Sequence, residues 1–261
     1  MRTKFFRLSF VLILVHIFSY GQSEDMARIE GARYIPLYGR DSTVVEVKDF
    51  DLDKYPVTNE QYMEFVKQFP EWQKSNAKKI FADGMYLKNW KNDFELSEGA
   101  KLNSPVTYVS WFAAKAYCDC QGKRLPTMDE WEYAAMSDET TKDARIKKSY
   151  NERILSWYEA PRSNENQIGQ NPKNYWGVSD LHGLVWEWTS DFNSVMLSGE
   201  SRKDKDGDNN LFCGSASLGA TDLMNYAAFM RYAFRGSIKA NFAIKNLGFR
   251  CAKDIETPNQ L

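Results

Sequence analysis

One domain that mixes helices and strands, with little regular structure in its second half, is what this chain predicts. Three observations carry the expectation. Residues 104–135 contain two short helices with recognisable caps, short strand-like segments precede them, and the stretch beyond is rich in Gly, Asn and aromatics but weak in helical periodicity. The 261 residues are 43% hydrophobic, enough to bury one sizeable core, so a single domain is the default. The formal net charge is −1, which gives no electrostatic case for nucleic acid or an anionic membrane.

In chain order, Arg2, Lys4 and Arg7 precede an apolar run from Leu8 to Phe18 that is too short to span a bilayer comfortably, and Ser19 and Gly21 suit cleavage before Gln22. Residues 1–21 therefore read as a signal peptide and 22–261 as the mature chain; a retained anchor is the alternative. No Cys follows the apolar run, which speaks against a lipoprotein. The mature protein is expected in a periplasm or secreted, without a stable membrane anchor, where disulfides persist. Thr43 to Val47 and Phe50-Asp51-Leu52 read as short strands, and Asn59 to Gln68 as an amphipathic helix capped by Thr58. Ser110 caps a helix through Trp111, Ala114 and Tyr117 that Gly122 stops. Thr127 and Glu130 stand at capping-box spacing and open a helix carrying Trp131 and Tyr133. The polar stretches Ser137 to Lys148 and Ser201 to Asn210 are the expected mobile insertions.

Four segments carry a family resemblance: Ser104 to Ala135 (SPVTYVSWFAAKAYCDCQGKRLPTMDEWEYAA), Lys54 to Asn59 (KYPVTN), Gly177 to Asp191 (GVSDLHGLVWEWTSD) and Gly248 to Ala252 (GFRCA). In this order they resemble the signature segments of the formylglycine-generating, or sulfatase-modifying factor, family. The likeness runs from about residue 26 to about residue 254. It implies a compact α+β domain related to C-type lectins, low in regular secondary structure, with the two central helices flanking a small antiparallel core. A fold does not by itself fix a function.

The resemblance also implies site residues. Family members commonly bond the Cys of the first segment to the Cys of the last, here Cys118 and Cys251. Cys120 stands where the family has Trp. With Cys213 it leaves three readings open: a second disulfide, two free thiols, or two thiolate ligands for a soft metal such as Cu(I). The segment Asp180 to Glu187 matches one that wraps a structural calcium ion. Asp180 and Glu187 would give side-chain oxygens, and Leu181, Gly183 and Val185 backbone carbonyls, a set suited to a hard cation. The alternative is that Glu187 pairs with an Arg such as Arg250. The acidic stretch Asp204 to Asn209 lacks the spacing of a calcium loop and reads as solvated.

One departure from the family is decisive. Active formylglycine-generating enzymes carry two cysteines shortly after a Gly-Gly-Ser-Trp motif. Here the motif is reduced to Cys213-Gly214-Ser215-Ala216, and no cysteine lies between it and Cys251. Aligned back from Arg231 and Arg235, the active pair would fall near Asp222 and Ala227. Neither replaces a thiolate. The histidine-iron chemistry of the other family branch fails as well, because the only histidines are His16, in the leader, and His182, which reads as a loop residue. What remains of the ancestral pocket is Trp186, Ser215, Asp222, Tyr226, Arg231 and Arg235. This set reads either as an aromatic cleft for a peptide or small ligand, or as core with the arginines paired to buried carboxylates.

The expected function is that of an exported, catalytically degenerate member that binds another exported protein or peptide as an accessory or maturation factor. An oxidoreductase with a relocated copper site at Cys120 and Cys213 is the alternative. An authentic formylglycine-generating oxidase acting on a sulfatase cysteine is the second.

Overall fold

The structure is a computed structural model that describes residues 25–37, 43–159, 166–194 and 223–255. Its organising element is a three-stranded antiparallel sheet whose middle strand comes from early in the chain and one edge from its end. β4 (Phe50–Asp53) lies between β1 (Met26–Ile29) and β7 (Ala252–Asp254), with Phe50 opposite both Ile29 and Asp254. β2 (Arg33–Tyr34) pairs with β3 (Val45–Glu46) in a short hairpin-like ladder, so two residues within the strand expected over residues 43–47 pair. A parallel pair, β5 (Trp186–Glu187) and β6 (Leu247–Gly248), lies under the site described below. Gly248 is required there: a Cβ would sit 2.6 Å from the Val106 carbonyl oxygen.

The helices expected in the first half form where their caps stand. α1 (Asn59–Gln68) opens with a capping box in which Gln61 N–H donates to Thr58 Oγ1 and Thr58 N–H donates to Gln61 Oε1. Ser110 Oγ accepts from Ala113 N–H at the start of α2 (Trp111–Cys120), and Gly122, at φ +64°, lies just past its end. Thr127 and Glu130 form the second capping box, at the start of α3 (Met128–Ala135).

The second half is more helical than its sequence suggested. Among the described residues two helices form there, α4 (Lys148–Glu159) and α5 (Leu223–Ser237), and they pack against each other. The reason is the composition of the inward face of α5. Ala227, Ala228, Arg231, Tyr232 and Arg235 are all buried, at helical spacing, but two are alanines and two are arginines. A pattern of large apolar residues is therefore absent although the face is real. Ser137 to Lys148, expected to be mobile, is instead pinned. Asp138 Oδ1 accepts from the backbone N–H and hydroxyl groups of Thr140 and Thr141, and Lys147 pairs with Asp138. Ser201 to Asn210 lies outside the described residues.

Two apolar clusters form most of the core. One is an aromatic knot in which Tyr62 packs against Phe65, Trp90, Tyr117 and Phe249. The other covers one face of the sheet with Ile29, Phe50 and Leu52 against Trp131 and Ala134 of α3. A disulfide joins Cys118 of α2 to Cys251, just before β7, with the Cα atoms 5.6 Å apart. Among the described residues no helix is long and apolar enough to cross a membrane.

Candidate functional site

Two buried carboxylates, each held by arginine, occupy the region where the sequence placed a metal and a ligand cleft. The first is Glu187 on β5. Arg250, fully buried one strand away, forks onto it: Nε donates to Oε2 and Nη2 to Oε1, both at 2.8 Å. Arg250 also donates to the carbonyls of Asp53, Lys54 and Ser179, so one guanidinium ties β4, the turn before β5 and β5 together. Trp131 Nε1–H adds a third donor, 2.7 Å from Glu187 Oε2.

The second is Glu132 on α3. Arg231 of α5 reaches it through Nε at 2.8 Å and Nη2 at 2.6 Å, and Arg235 donates through Nη1 at 2.8 Å. All three residues are buried. Burial alone would raise the Glu132 carboxyl, but the two guanidinium charges and their hydrogen bonds outweigh it and hold the group down at about 2. Both arginines also lie over the Trp131 ring, at 5.8 and 5.1 Å from its centroid. Trp131 thus sits between the two carboxylates and touches both systems.

These pairings bear on the alternatives left open by the sequence. Arg231 and Arg235 are paired to a buried carboxylate. Glu187 is paired with Arg250 rather than held out as a metal ligand. Asp180, at φ +61°, accepts from Gly169 N–H and the Asn171 side-chain amide. A calcium ion between Asp180 and Glu187 would meet a guanidinium already seated on both Glu187 oxygens, so the expected calcium set does not fit these side chains. The carbonyl-bearing residues Leu181, Gly183 and Val185 line a small cavity with Trp131, Trp186 and Arg235. Gly183, at φ +87°, lies so close to Trp157 that a Cβ would be 2.8 Å from its Cγ. Among the described residues no three His, Cys, Asp or Glu side chains gather as a metal site.

The rest of the ancestral pocket is dispersed or filled. Trp186 stacks on Phe234 of α5, with ring centroids 4.7 Å apart, and Tyr226 is exposed on α5. Ala227 is fully buried with Ala144, Tyr150 and Ile154, at the contact between α4 and α5. Ser215, Asp222 and Cys213 lie outside the described residues. Cys120 is a free, exposed thiol whose Sγ–H donates to the Tyr117 carbonyl oxygen. Burial of the sulfur pushes its pKa up, opposite to what a thiolate ligand or nucleophile needs. His182, taken as a loop residue, sits in a turn but is buried edge-on to Trp131, and burial first, then the Arg231 charge, lowers it to about 3. It is a neutral core residue.

Sequence reasoning assigned no role to Glu132 or Trp131, although both lie in the quoted EWEYAA run. The available signal was a Glu at a core-facing position of a short helix, because a buried acid implies a cation nearby.

Comparison with known proteins gives the class. Residues 9–255 match the sulfatase-modifying factor enzyme 1-like domain, and the chain belongs to that family. Within it, the chain is 28% identical to the inactive C-alpha-formylglycine-generating enzyme 2 of Bos taurus, over 91% of each chain. It is 30% identical to the formylglycine-generating enzyme of Streptomyces coelicolor, over 81% of this chain and 80% of that one. PvdO from Pseudomonas aeruginosa aligns over 88% of this chain and 94% of its own, at 16% identity and a TM-score of 0.49.

Proposed function

We propose that this chain is an exported, catalytically silent member of the sulfatase-modifying factor family that acts by binding another exported protein. The observation that carries this reading is the fate of the thiols. The chain has four cysteines; Cys118 and Cys251 are consumed in a disulfide, Cys120 is an isolated thiol with a raised pKa, and the position aligned with a reactive cysteine, Ala227, is packed into the core. Cys213 alone cannot supply the cysteine pair of the active enzymes. A relative named as inactive fits the same reading. The copper-site alternative loses support because the Cys120 sulfur lies at the exposed end of α2, held by its own helix.

A sulfatase-type Cys-x-Pro-x-Arg peptide, incubated with the copper-loaded full chain under oxygen, is expected to yield no aldehyde by mass spectrometry. Copper-dependent aldehyde would overturn the silent assignment. Export is checked separately: protein recovered from the periplasm or medium should begin at Gln22. An intact Met1 on membrane-bound protein would restore the anchor reading.

A further inference from the structure

Between α1 and α2 the chain builds a surface that the buried arginine systems do not touch. Its apolar part is a row of aromatic rings, Trp72, Phe81, Phe112 and Trp111, with successive centroids 6.2, 5.3 and 5.4 Å apart. The row is rooted in the core, where Trp111 meets buried Phe192, and emerges at Phe81, which is 40% exposed. Beside Phe81, Ile80 is 72% and Met85 44% exposed. Single exposed apolar residues need no explanation, but three within six positions, backed by an aromatic row, form a patch. A methionine in it adapts readily to differently shaped side chains.

The rim of this patch is mostly basic. Residues 71–88 contain Lys74, Lys78, Lys79 and Lys88 against only Glu71 and Asp83, in a chain whose net charge is −1. Asp83 spends its oxygens on the backbone N–H groups of Met85 and Ala243. Among the described residues Lys78, Lys79 and Lys88 have no ion-pair partner, and all three are exposed. Lys74 is turned inward, donating to the Trp90 carbonyl, and stands close enough to Lys88 for the two charges to repel. Unpaired lysines around an apolar patch are the complement of carboxylates around apolar side chains. Large rings flanked by charge also have the composition of an interface centre with a steering rim.

We propose that the face formed by Ile80, Phe81, Met85 and Phe112, rimmed by Lys78, Lys79 and Lys88, docks an acidic segment of a partner protein that carries large apolar side chains. This deepens the binding role proposed above and rests on it for the existence of a partner. The aromatic row gives the contact its anchor, and the lysines set its salt dependence and reject basic segments. A membrane surface is the less favoured occupant, because the lysines here are few and the chain as a whole is slightly acidic.

The test uses the full mature chain and a fluorescent peptide of alternating Glu and Phe, with an alternating Lys and Phe peptide as its charge-reversed control. The acidic peptide is expected to bind, and its affinity to fall as salt rises from about 50 to about 500 mM. Ile80→Ser, and separately Lys78→Glu with Lys79→Glu, should each weaken it by about tenfold or more. Ile146→Ser, which removes an isolated apolar residue that is 94% exposed and whose flanking cations are already ion-paired, should leave it unchanged. Ile80 is exposed enough that its replacement keeps the fold, which an unchanged melting curve verifies. No binding, equal binding of both peptides, or indifference to these variants overturns the proposal. So does a patch-dependent sedimentation with phosphatidylglycerol vesicles, or a patch-dependent self-association, in the absence of peptide binding. Failure here leaves the aldehyde result, and with it the silent assignment, untouched.

Discussion

Replacing Glu132 by Gln removes a negative charge that accepts hydrogen bonds from two buried guanidinium groups, those of Arg231 and Arg235. In the native protein those groups keep the carboxyl at about 2, against its ordinary value of 4.5. A displacement of that size corresponds to about 3 kcal/mol of folding stability. The sign follows from the direction of the shift. A carboxyl depressed by folding contributes fully above pH 4.5, and that contribution drains away as pH falls towards 2. Unfolding in urea, followed by tryptophan fluorescence, should therefore find Glu132→Gln about 3 kcal/mol or more below the parent at pH 7, since Arg231 and Arg235 lose their counter-charge in a site that is nearly dry. The gap should shrink to roughly half by pH 3, because the unfolded parent then carries the Glu132 proton while the native carboxyl, held at about 2, is still mostly ionised. Other carboxylates that folding depresses, such as Asp138 and Glu139, are common to both proteins and cancel in the difference. A gap under about 0.5 kcal/mol at pH 7, or one that stays constant down to pH 3, would refute the argument that Glu132 is ionised and paired.

Two further outcomes test the frame around that cluster. Cys118→Ala with Cys251→Ala opens a link between residues 133 apart, and the chain-entropy account assigns it about 5 kcal/mol; urea unfolding should show most of this loss, Cys120→Ser should show none, and a loss under about 1 kcal/mol for the pair would mean that packing alone holds β7. Thermal melting in excess Ca²⁺ and in excess chelator should give the same midpoint, because Arg250 already neutralises Glu187; a midpoint several degrees higher with Ca²⁺ would return Asp180 and Glu187 to the role of metal ligands.

Local chemistry was legible in the sequence, and distant chemistry was not. The capping boxes at Thr58 and Thr127 depend on residues three apart, so their spacing alone announces them. The fold class came from motif resemblance, which carries arrangement that spacing cannot. Pairing across the molecule is different. Glu132 and Arg231 are 99 positions apart, and Glu187 and Arg250 are 63 apart. The second pair was named from the sequence as the alternative to a calcium ligand, whereas Glu132 was not named as the partner of Arg231 and Arg235, because a sequence shows that such groups exist but not where they meet. The two helices of the second half were hidden for a related reason. The buried face of α5 carries Arg231 and Arg235 where a core helix normally shows leucines, and Glu132 on α3 pairs with both of them there. Ser137 to Lys148 misled in the opposite sense: its polar residues satisfy one another around Asp138 instead of facing water.

The sheet order β1-β4-β7 has a consequence for how the molecule comes into being. The middle strand is in place once residue 53 has emerged, yet one of its edges, the guanidinium under Glu187 and the second half of the disulfide all arrive between Arg250 and Asp254. A chain delivered amino end first, from a ribosome or through a secretion channel, must wait for nearly its whole length before it can close. Until then Phe50, Leu52 and the aromatic knot have no lid, and the intermediate is a target for chaperones and proteases alike. A handful of residues at the far end thus act as a latch. Shortening the chain by that handful should turn a stable product into one that is cleared before it matures.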